Sequence, residues 1–314
     1  MLGRSANGIF WMFRYLERAE NTARLLEVGF HMALTRGAGG AADEWRSVLE
    51  TICQHELYLE RNEGYEGSQV VNFILRDKEN PASVLNMIDS ARTNARAVRT
   101  AITREVWEAT NESWMMLKDM LSRQVRESNL GDVLSAIRNQ TALVRGAMEG
   151  TMLRNEIFNF ARTGTYIERI DNTARILDVK YYVLLPSVSW VGSSLDNTQW
   201  DTVLRSVAGY RAYRWLHAGD MDPRGIAEFL LLDKRFPRSL LFCCNKLASN
   251  LERLQEDHGG AFASCELARR ASQNLRGTKI EEIFDFGLHE FLVGFINSNR
   301  EIADTISADF RFIE

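Results

Sequence analysis

Proline is scarce in this sequence, with 4 in 314 residues, where an average chain carries roughly 5%. Proline breaks helix interiors because it lacks a backbone donor, so its rarity favours helices throughout. Cysteine is equally sparse. Cys53, Cys243, Cys244 and Cys265 show no paired metal-type spacing and suggest reduced, buried thiols in a cytoplasmic protein. No apolar run approaches the ~18–20 residues of a membrane-spanning helix. The start does not read as a signal peptide, since Ile9-Phe10-Trp11-Met12-Phe13 is short and runs straight into charged residues. A net charge of −4 supplies no general attraction to nucleic acid or to anionic membranes.

Signatures of catalysis are missing as well. Gly37-Ala38-Gly39-Gly40 lacks the Lys or the strand context of a phosphate loop, and no Gly-x-Ser-x-Gly elbow occurs. His55-Glu56 and His289-Glu290 have no second His four residues on, and the Glu-x-x-His pairs of di-iron bundles are absent, so no metal or cofactor is expected. Glu27 and His31 stand four residues apart and read as a local surface pair. Each Cys reads as a core residue rather than as a nucleophile.

What is present is a repetition. Tyr15-Leu16-Glu17-Arg18-Ala19-Glu20-Asn21-Thr22-Ala23-Arg24-Leu25-Leu26-Glu27-Val28 recurs as Tyr166-Ile167-Glu168-Arg169-Ile170-Asp171-Asn172-Thr173-Ala174-Arg175-Ile176-Leu177-Asp178-Val179. The offset is 166 − 15 = 151, and nine of the fourteen positions are identical. Two further matches follow in the same order. Trp45-Arg46-Ser47-Val48-Leu49 pairs with Trp200-Asp201-Thr202-Val203-Leu204, and the segment Phe73 to Leu85 pairs with Phe229 to Leu241 through a shared Asp-Lys turn and a Pro. Their offsets are 155 and 156, a drift assigned to a longer loop from Pro186 to Asn197. Preserved order and spacing mark a tandem internal duplication, with halves of about 1–151 and 152–314 in one domain, 1–314.

Both copies of the long motif have helical periodicity. Tyr15, Leu16, Ala19, Ala23 and Leu26 share one arc, the face a helix buries. Glu17, Glu20, Asn21 and Arg24 share the other, with Arg18 at its margin. An ordinary solvated face laced with i,i+4 pairs would carry such residues too; its repetition in both copies favours a partly buried polar seam.

Helices are expected from Ser5–Asn7 to about Leu34, from about Asp43 to Tyr58, after Pro81 to about Arg104, through Trp107 to about Arg126, and from Leu130 to about Ala161. Gly37 to Gly40 and Thr163-Gly164 read as breaks. In the second half helices are expected at about 198–216, 223–232, 238–257 and 279–310. With no alternating segment, the fold class is all-α, a helical bundle whose halves pack in a pseudo-twofold arrangement. Arg92, Arg96 and Arg99 form a stripe at i, i+4, i+7 that could grip an anion or lie as a solvated basic face. The aligned residues of the second half, Ala248, Glu252 and Gln255, are not basic.

The run from Tyr15 to Arg24, preceded by Phe10-Trp11-Met12-Phe13-Arg14, resembles the opening of the Alpha-E family of bacterial all-helical proteins, named for a Glu-Arg motif. Ala91 to Arg99, Gly150-Thr151-Met152 with Arg154, and Glu168-Arg169 extend the resemblance over nearly the whole chain. Phe13 stands where that family usually has Gly, and Thr165 where Arg is common. The resemblance implies a setting beside a circularly permuted ATP-grasp ligase and often a transglutaminase-like protease, in a system that makes or trims amide-linked peptides.

On that basis the expected role is a non-catalytic accessory partner of such a ligase. Glu17, Arg18, Asn21 and Arg24, with Glu168, Arg169, Asn172 and Arg175, would line a polar cleft between the repeat helices. Arg92, Arg96, Arg99 and Arg154 would add positive potential for an acidic or peptide-like substrate. No nucleic acid or membrane partner is expected, and a homo-oligomer stays open. The alternatives are an enzyme of amide or acyl transfer, with a repeat carboxylate as general base, and a structural or oligomerisation module held by the Glu-Arg seam.

Overall fold

The computed structural model describes residues 3–36, 38–183, 194–217 and 221–312. Every regular element among them is helical, and the chain divides into two compact units, Met1–Gly164 and Thr165–Glu314. The expected longer loop from Pro186 to Asn197 falls mostly on 184–193, outside the described residues. No helix is long and apolar enough to cross a membrane.

In the first unit, α1 (Gly3–Arg36), α5 (Val84–Ala97), α6 (Arg104–Met120) and α7 (Glu127–Thr151) form a closed ring in which each packs on the next and α7 returns to α1. Alongside lie α2 (Ala38–Thr51), the short α3 (His55–Leu59) and α4 (Gly67–Arg76). The helix α1 is covered nearly all round. Ile9, Phe10, Met12, Phe13, Leu16, Ala19, Ala23 and Leu26 are buried, the hydrophobic burial that makes a long helix stable despite its cost in chain entropy. Tyr15 is only half-buried.

The second unit begins within α8 (Glu156–Val183) and continues through α9 (Ser194–Ser206), α10 (Tyr210–Leu216), α11 (Pro223–Leu232), α12 (Leu240–His258), α13 (Ala263–Gly277), α14 (Ile280–Phe286) and α15 (Leu288–Asp309). There α12 packs on α13 and α13 on α15. From α8, Tyr166 meets Phe242 of α12 edge-on, and the Ile167 carbonyl accepts from Asn299 Nδ2 of α15 at 3.1 Å.

Several boundaries differ from the expected ones, each for a local reason. The first helix already starts at Gly3, and α2 starts at Ala38, so Gly39 and Gly40 are helical rather than a break. The expected helix from Asp43 to Tyr58 is cut at Cys53, whose φ of 56° is left-handed; Gln54 N there bonds back to the Leu49 carbonyl at 2.9 Å. Cys53 is consequently exposed, not buried, while Cys243, Cys244 and Cys265 are buried. Helix 198–216 is divided at Ala208, φ 57°, and helix 279–310 at Gly287, φ 110°. The helix α13 had no counterpart in the expected set.

The prolines of the matched turn do not start their helices. Ser83 and Ser239 are the caps, each hydroxyl accepting from the backbone N three residues on, Asn86 at 3.3 Å and Phe242 at 3.1 Å. In both turns the Asp side chain folds onto the backbone, Asp77 Oδ1 taking Glu79 N at 2.9 Å and Asp233 Oδ1 taking Arg235 N at 2.7 Å.

Thr163-Gly164 does not break a helix either. The break falls at Met152–Asn155, and α8 runs through Gly164 uninterrupted. A Cβ at Gly164 would lie 2.3 Å from the Phe10 carbonyl oxygen and 3.1 Å from its carbon. This glycine lets α8 rest directly on the backbone of α1. Because the clash is with main chain, relief requires the helices to separate, and Gly164→Ala is expected to cost about 1–3 kcal/mol, read from urea denaturation midpoints.

Tyr58 is fully buried against Phe73, and its hydroxyl has no hydrogen-bond partner among the described residues. Burial pushes its pKa up from 10.0 to about 12. A raised folded-state value means this contribution is complete below pH 10 and is lost as pH rises through about 12. Tyr58→Phe should leave stability at pH 7 unchanged or slightly higher. It should also flatten the decline between pH 10 and 12, as seen by thermal melts across that range.

Candidate functional site

The face of α1 opposite its apolar arc is buried, with Glu17 and Glu20 each 1% exposed and Asn21 3% exposed. Two anions can be held so deeply only if cations and donors come with them. They come from α7, which runs antiparallel to α1. Arg145 Nη1 meets Glu17 Oε2 at 3.1 Å, and its Nη2 meets Glu20 Oε2 at 2.5 Å. One guanidinium thus bridges two carboxylates a helical turn apart. Glu20 Oε1 also accepts from Arg24 Nε at 3.1 Å and Nη2 at 2.8 Å, and Glu20 Oε2 from Thr141 Oγ1 at 3.4 Å.

Farther along the same interface Arg138 closes on Glu27. The carboxylate of Glu27 therefore answers α7 rather than His31 of its own helix. The guanidinium side chains keep a solvent edge, 21% for Arg145 and 23% for both Arg24 and Arg138. Arg18 is half-buried at the margin of this face.

In the second unit Glu168 is 4% and Arg169 9% exposed, while Asn172 and Arg175 are half-buried. The i,i+4 pair recurs, Arg175 Nε to Asp171 Oδ2 at 2.7 Å. Arg169 Nη1 donates to the Pro237 carbonyl at 3.4 Å, and Thr173 Oγ1 to the Arg238 carbonyl at 2.8 Å. Asp178 meets His289 Nδ1 of α15 at 2.6 Å.

The remaining expected arginines are elsewhere. Arg92 and Arg99 turn to α6, where Arg92 Nε donates to Asn111 Oδ1 at 2.8 Å and the Arg92 and Arg99 guanidinium carbons lie 3.9 and 5.2 Å from the ring centres of Trp114 and Trp107. Arg96 is exposed. Arg154 belongs to the turn before α8, pairing with Glu149 at 3.1 Å and covering Phe158.

The residues that complete the seam, Arg138, Thr141 and Arg145, were not expected from sequence. Their spacing on α7, i, i+3, i+7, puts two cations and a hydroxyl on one helix face, which meets the face of α1 that carries Glu17, Glu20 and Glu27. That complementarity is visible only once the two helices are known to be neighbours. An open cleft also occurs in each unit beside the Asp-Lys turn. The first includes Phe73, Asp77 and Lys78 in its lining, and the second Phe229, Asp233 and Lys234. Among the described residues no group of three or more His, Cys, Asp or Glu could hold a metal. Burial pushes the Cys244 thiol well above its usual value and raises that of Cys265, which keeps both in the unreactive form.

The model of the Alpha-E family, described as a predicted alpha-helical domain with a conserved ER motif, matches residues 1–310. Uncharacterized proteins of Mycobacterium bovis and Mycobacterium tuberculosis are 23% identical over 97% of this chain, and another of Mycobacterium tuberculosis 22%. The chain spans 36% of the length of these relatives. No solved structure matches.

Removing the bridging guanidinium leaves two buried carboxylates uncompensated. Arg145→Ala is expected to destabilise by about 3 kcal/mol, the low end for a broken buried pair because the arginine is partly hydrated. Arg104→Ala, which breaks an exposed pair with Glu108, should leave the denaturation midpoint almost unchanged. Parallel denaturation of the two variants checks the contrast.

Proposed function

The chain belongs to the Alpha-E family, and on that premise we propose that it is a non-catalytic accessory partner of an ATP-grasp-type ligase in a system that forms or modifies peptide-like amide bonds. The observation that carries the non-catalytic part is the state of Glu20. Its two oxygens accept from Arg24, Thr141 and Arg145, so this buried carboxylate is occupied as a structural acceptor and is not placed to take a proton from a substrate.

The partner role is supported by family membership and by the relatives' length. In those proteins the matched region is a little over a third of a longer polypeptide, as suits a module that works with other protein. Under this reading the buried carboxylates hold α1 to α7, and the half-exposed groups around them, Arg18 and Arg24 in the first unit and Asn172 and Arg175 in the second, form the polar edges available to a partner. We further propose that the two units descend from a tandem duplication, for which the two Asp-Lys turns capped by Ser83 and Ser239 and the cleft beside each are the support.

The test is copurification. A tagged chain coexpressed with an ATP-grasp ligase from the same genome should retain it through gel filtration. Arg18→Ala, compared at a temperature where the variant is folded, should weaken the complex on the order of tenfold, about 1.4 kcal/mol. If the unsubstituted chain retains no ligase at micromolar concentrations, or if the chain alone turns over amino acids and ATP, the reading is wrong.

A further inference from the structure

The basic residues Arg92 and Arg96 of α5 and Arg99 of the turn after it lie along α6. On α6, Trp107, Asn111, Trp114 and Lys118 follow one another at i, i+4, i+7, i+11 and face the stripe. Trp114 is covered by both Arg92, at 3.9 Å, and Lys118, whose Nζ is 4.5 Å from the ring centre. Its Nε1 donates to Asp89 Oδ1 at 2.8 Å, and Asn111 Oδ1 holds Arg92 Nε at 2.8 Å. Arg99 lies over Trp107. The ring faces and the amide fix the guanidinium planes, so their outer donors are oriented before anything binds.

The charge of this ledge is unbalanced. Arginines elsewhere in the unit, such as Arg24, Arg104, Arg145 and Arg162, each meet a carboxylate. Arg92, Arg96, Arg99 and Lys118 form no ion pair among the described residues, and Arg96, Arg99 and Lys118 are exposed. Asp89, the acid within the cluster, is engaged by Trp114. A concentration of unpaired positive charge in a chain of net charge −4 is complementary to an anion from outside.

We propose that the α5–α6 ledge binds an acidic peptide segment, its alternate Glu or Asp carboxylates received by Arg92, Arg96 and Arg99 with Lys118 beside them. Arg92 and Arg96 are separated by about 6 Å along the helix axis, from 1.5 Å per residue, and Arg99 follows in the turn after α5. Side chains on one side of an extended peptide recur every ~6.6 Å, so two to three carboxylates fit the stripe. Single-stranded nucleic acid is the weaker fit, because it binds by stacking bases on open aromatic faces and here the faces of Trp107 and Trp114 already carry cations. The proposal deepens the accessory role by naming its substrate class and places that substrate on the ledge rather than at the α1–α7 seam.

The probe is a fluorescein-labelled peptide of eight glutamates, titrated with the full chain and followed by anisotropy at 50 and 200 mM salt. Binding should weaken at the higher salt, and the triple variant Arg92→Gln, Arg96→Gln, Arg99→Gln should bind at least about tenfold less tightly. Arg96→Glu alone, at an exposed position without a partner, cannot unfold the protein and should weaken binding about threefold or more. Arg104→Gln should bind like the unsubstituted chain. The proposal is overturned if the glutamate peptide does not bind, if Arg96→Glu binds as tightly as the unsubstituted chain, or if an eight-residue oligothymidylate binds more tightly than the peptide. Peptide binding that depends on the ledge, together with no copurifying ligase, would reject the accessory role and leave the ledge standing. A ligase complex without peptide binding would do the reverse.

Discussion

One guanidinium, that of Arg145, sits between two carboxylates that have almost no contact with solvent. Placing Glu17 and Glu20 inside a helical bundle is unfavourable unless their charge is met, and the low polarity of that interior makes each good contact strong and each missing one costly. The α1–α7 interface therefore has a preferred register: moving α7 by one turn would break the simultaneous bridge from Arg145 to both acids. A purely apolar interface would tolerate that slip far better. The pair is best understood as a device for alignment, because the desolvation of three charges consumes much of what their attraction returns.

Close backbone approach is the second constraint on α1. Gly164 brings α8 onto the Phe10 carbonyl, and Gly8 would place a Cβ 2.8 Å from Val98 Cγ1. With α1 covered on its apolar side, clamped by Arg145 on its polar side and touched by backbone at Phe10, its polar residues are held in place. The second unit handles its repeat acids differently. Asp171 pairs with Arg175, and Asp178 meets His289 of α15. The two units share a local i,i+4 acid–arginine pair, and the bridge from Arg145 to Glu17 and Glu20 is built by α1 and α7 of the first.

A division of labour follows from where charge is satisfied and where it is not. At the seam, acids and bases cancel one another within the bundle. On the α5–α6 ledge, positive groups are fixed by tryptophan rings and by Asn111 but are not neutralised. Neutralised buried charge organises the fold; fixed but unneutralised charge at the surface is the arrangement that steers and receives a ligand.

Much of this was legible from the order of residues alone. The scarcity of proline and the 3.6-residue periodicity imply helices, the repeated Glu-Arg segment marks α1 and α8 as the key elements, and a face of α1 carrying Glu17, Glu20 and Asn21 reads as buried polar surface. Local turn chemistry at Asp77 and Asp233 was also readable, though the serine caps beyond the prolines were not singled out. What the residues could not disclose was which helix lies beside which. Arg145 is 128 residues from Glu17, and Trp114 is 22 from Arg92, so their pairing is an outcome of packing. Gly164 makes the same point from the other direction: a glycine after a threonine looks like a break until the neighbouring Phe10 carbonyl shows why no side chain can stand there. Helix formation is decided by interactions within a few residues and is therefore written locally, whereas the partners of a buried charge are decided by which surfaces come together, a choice that exists only in three dimensions.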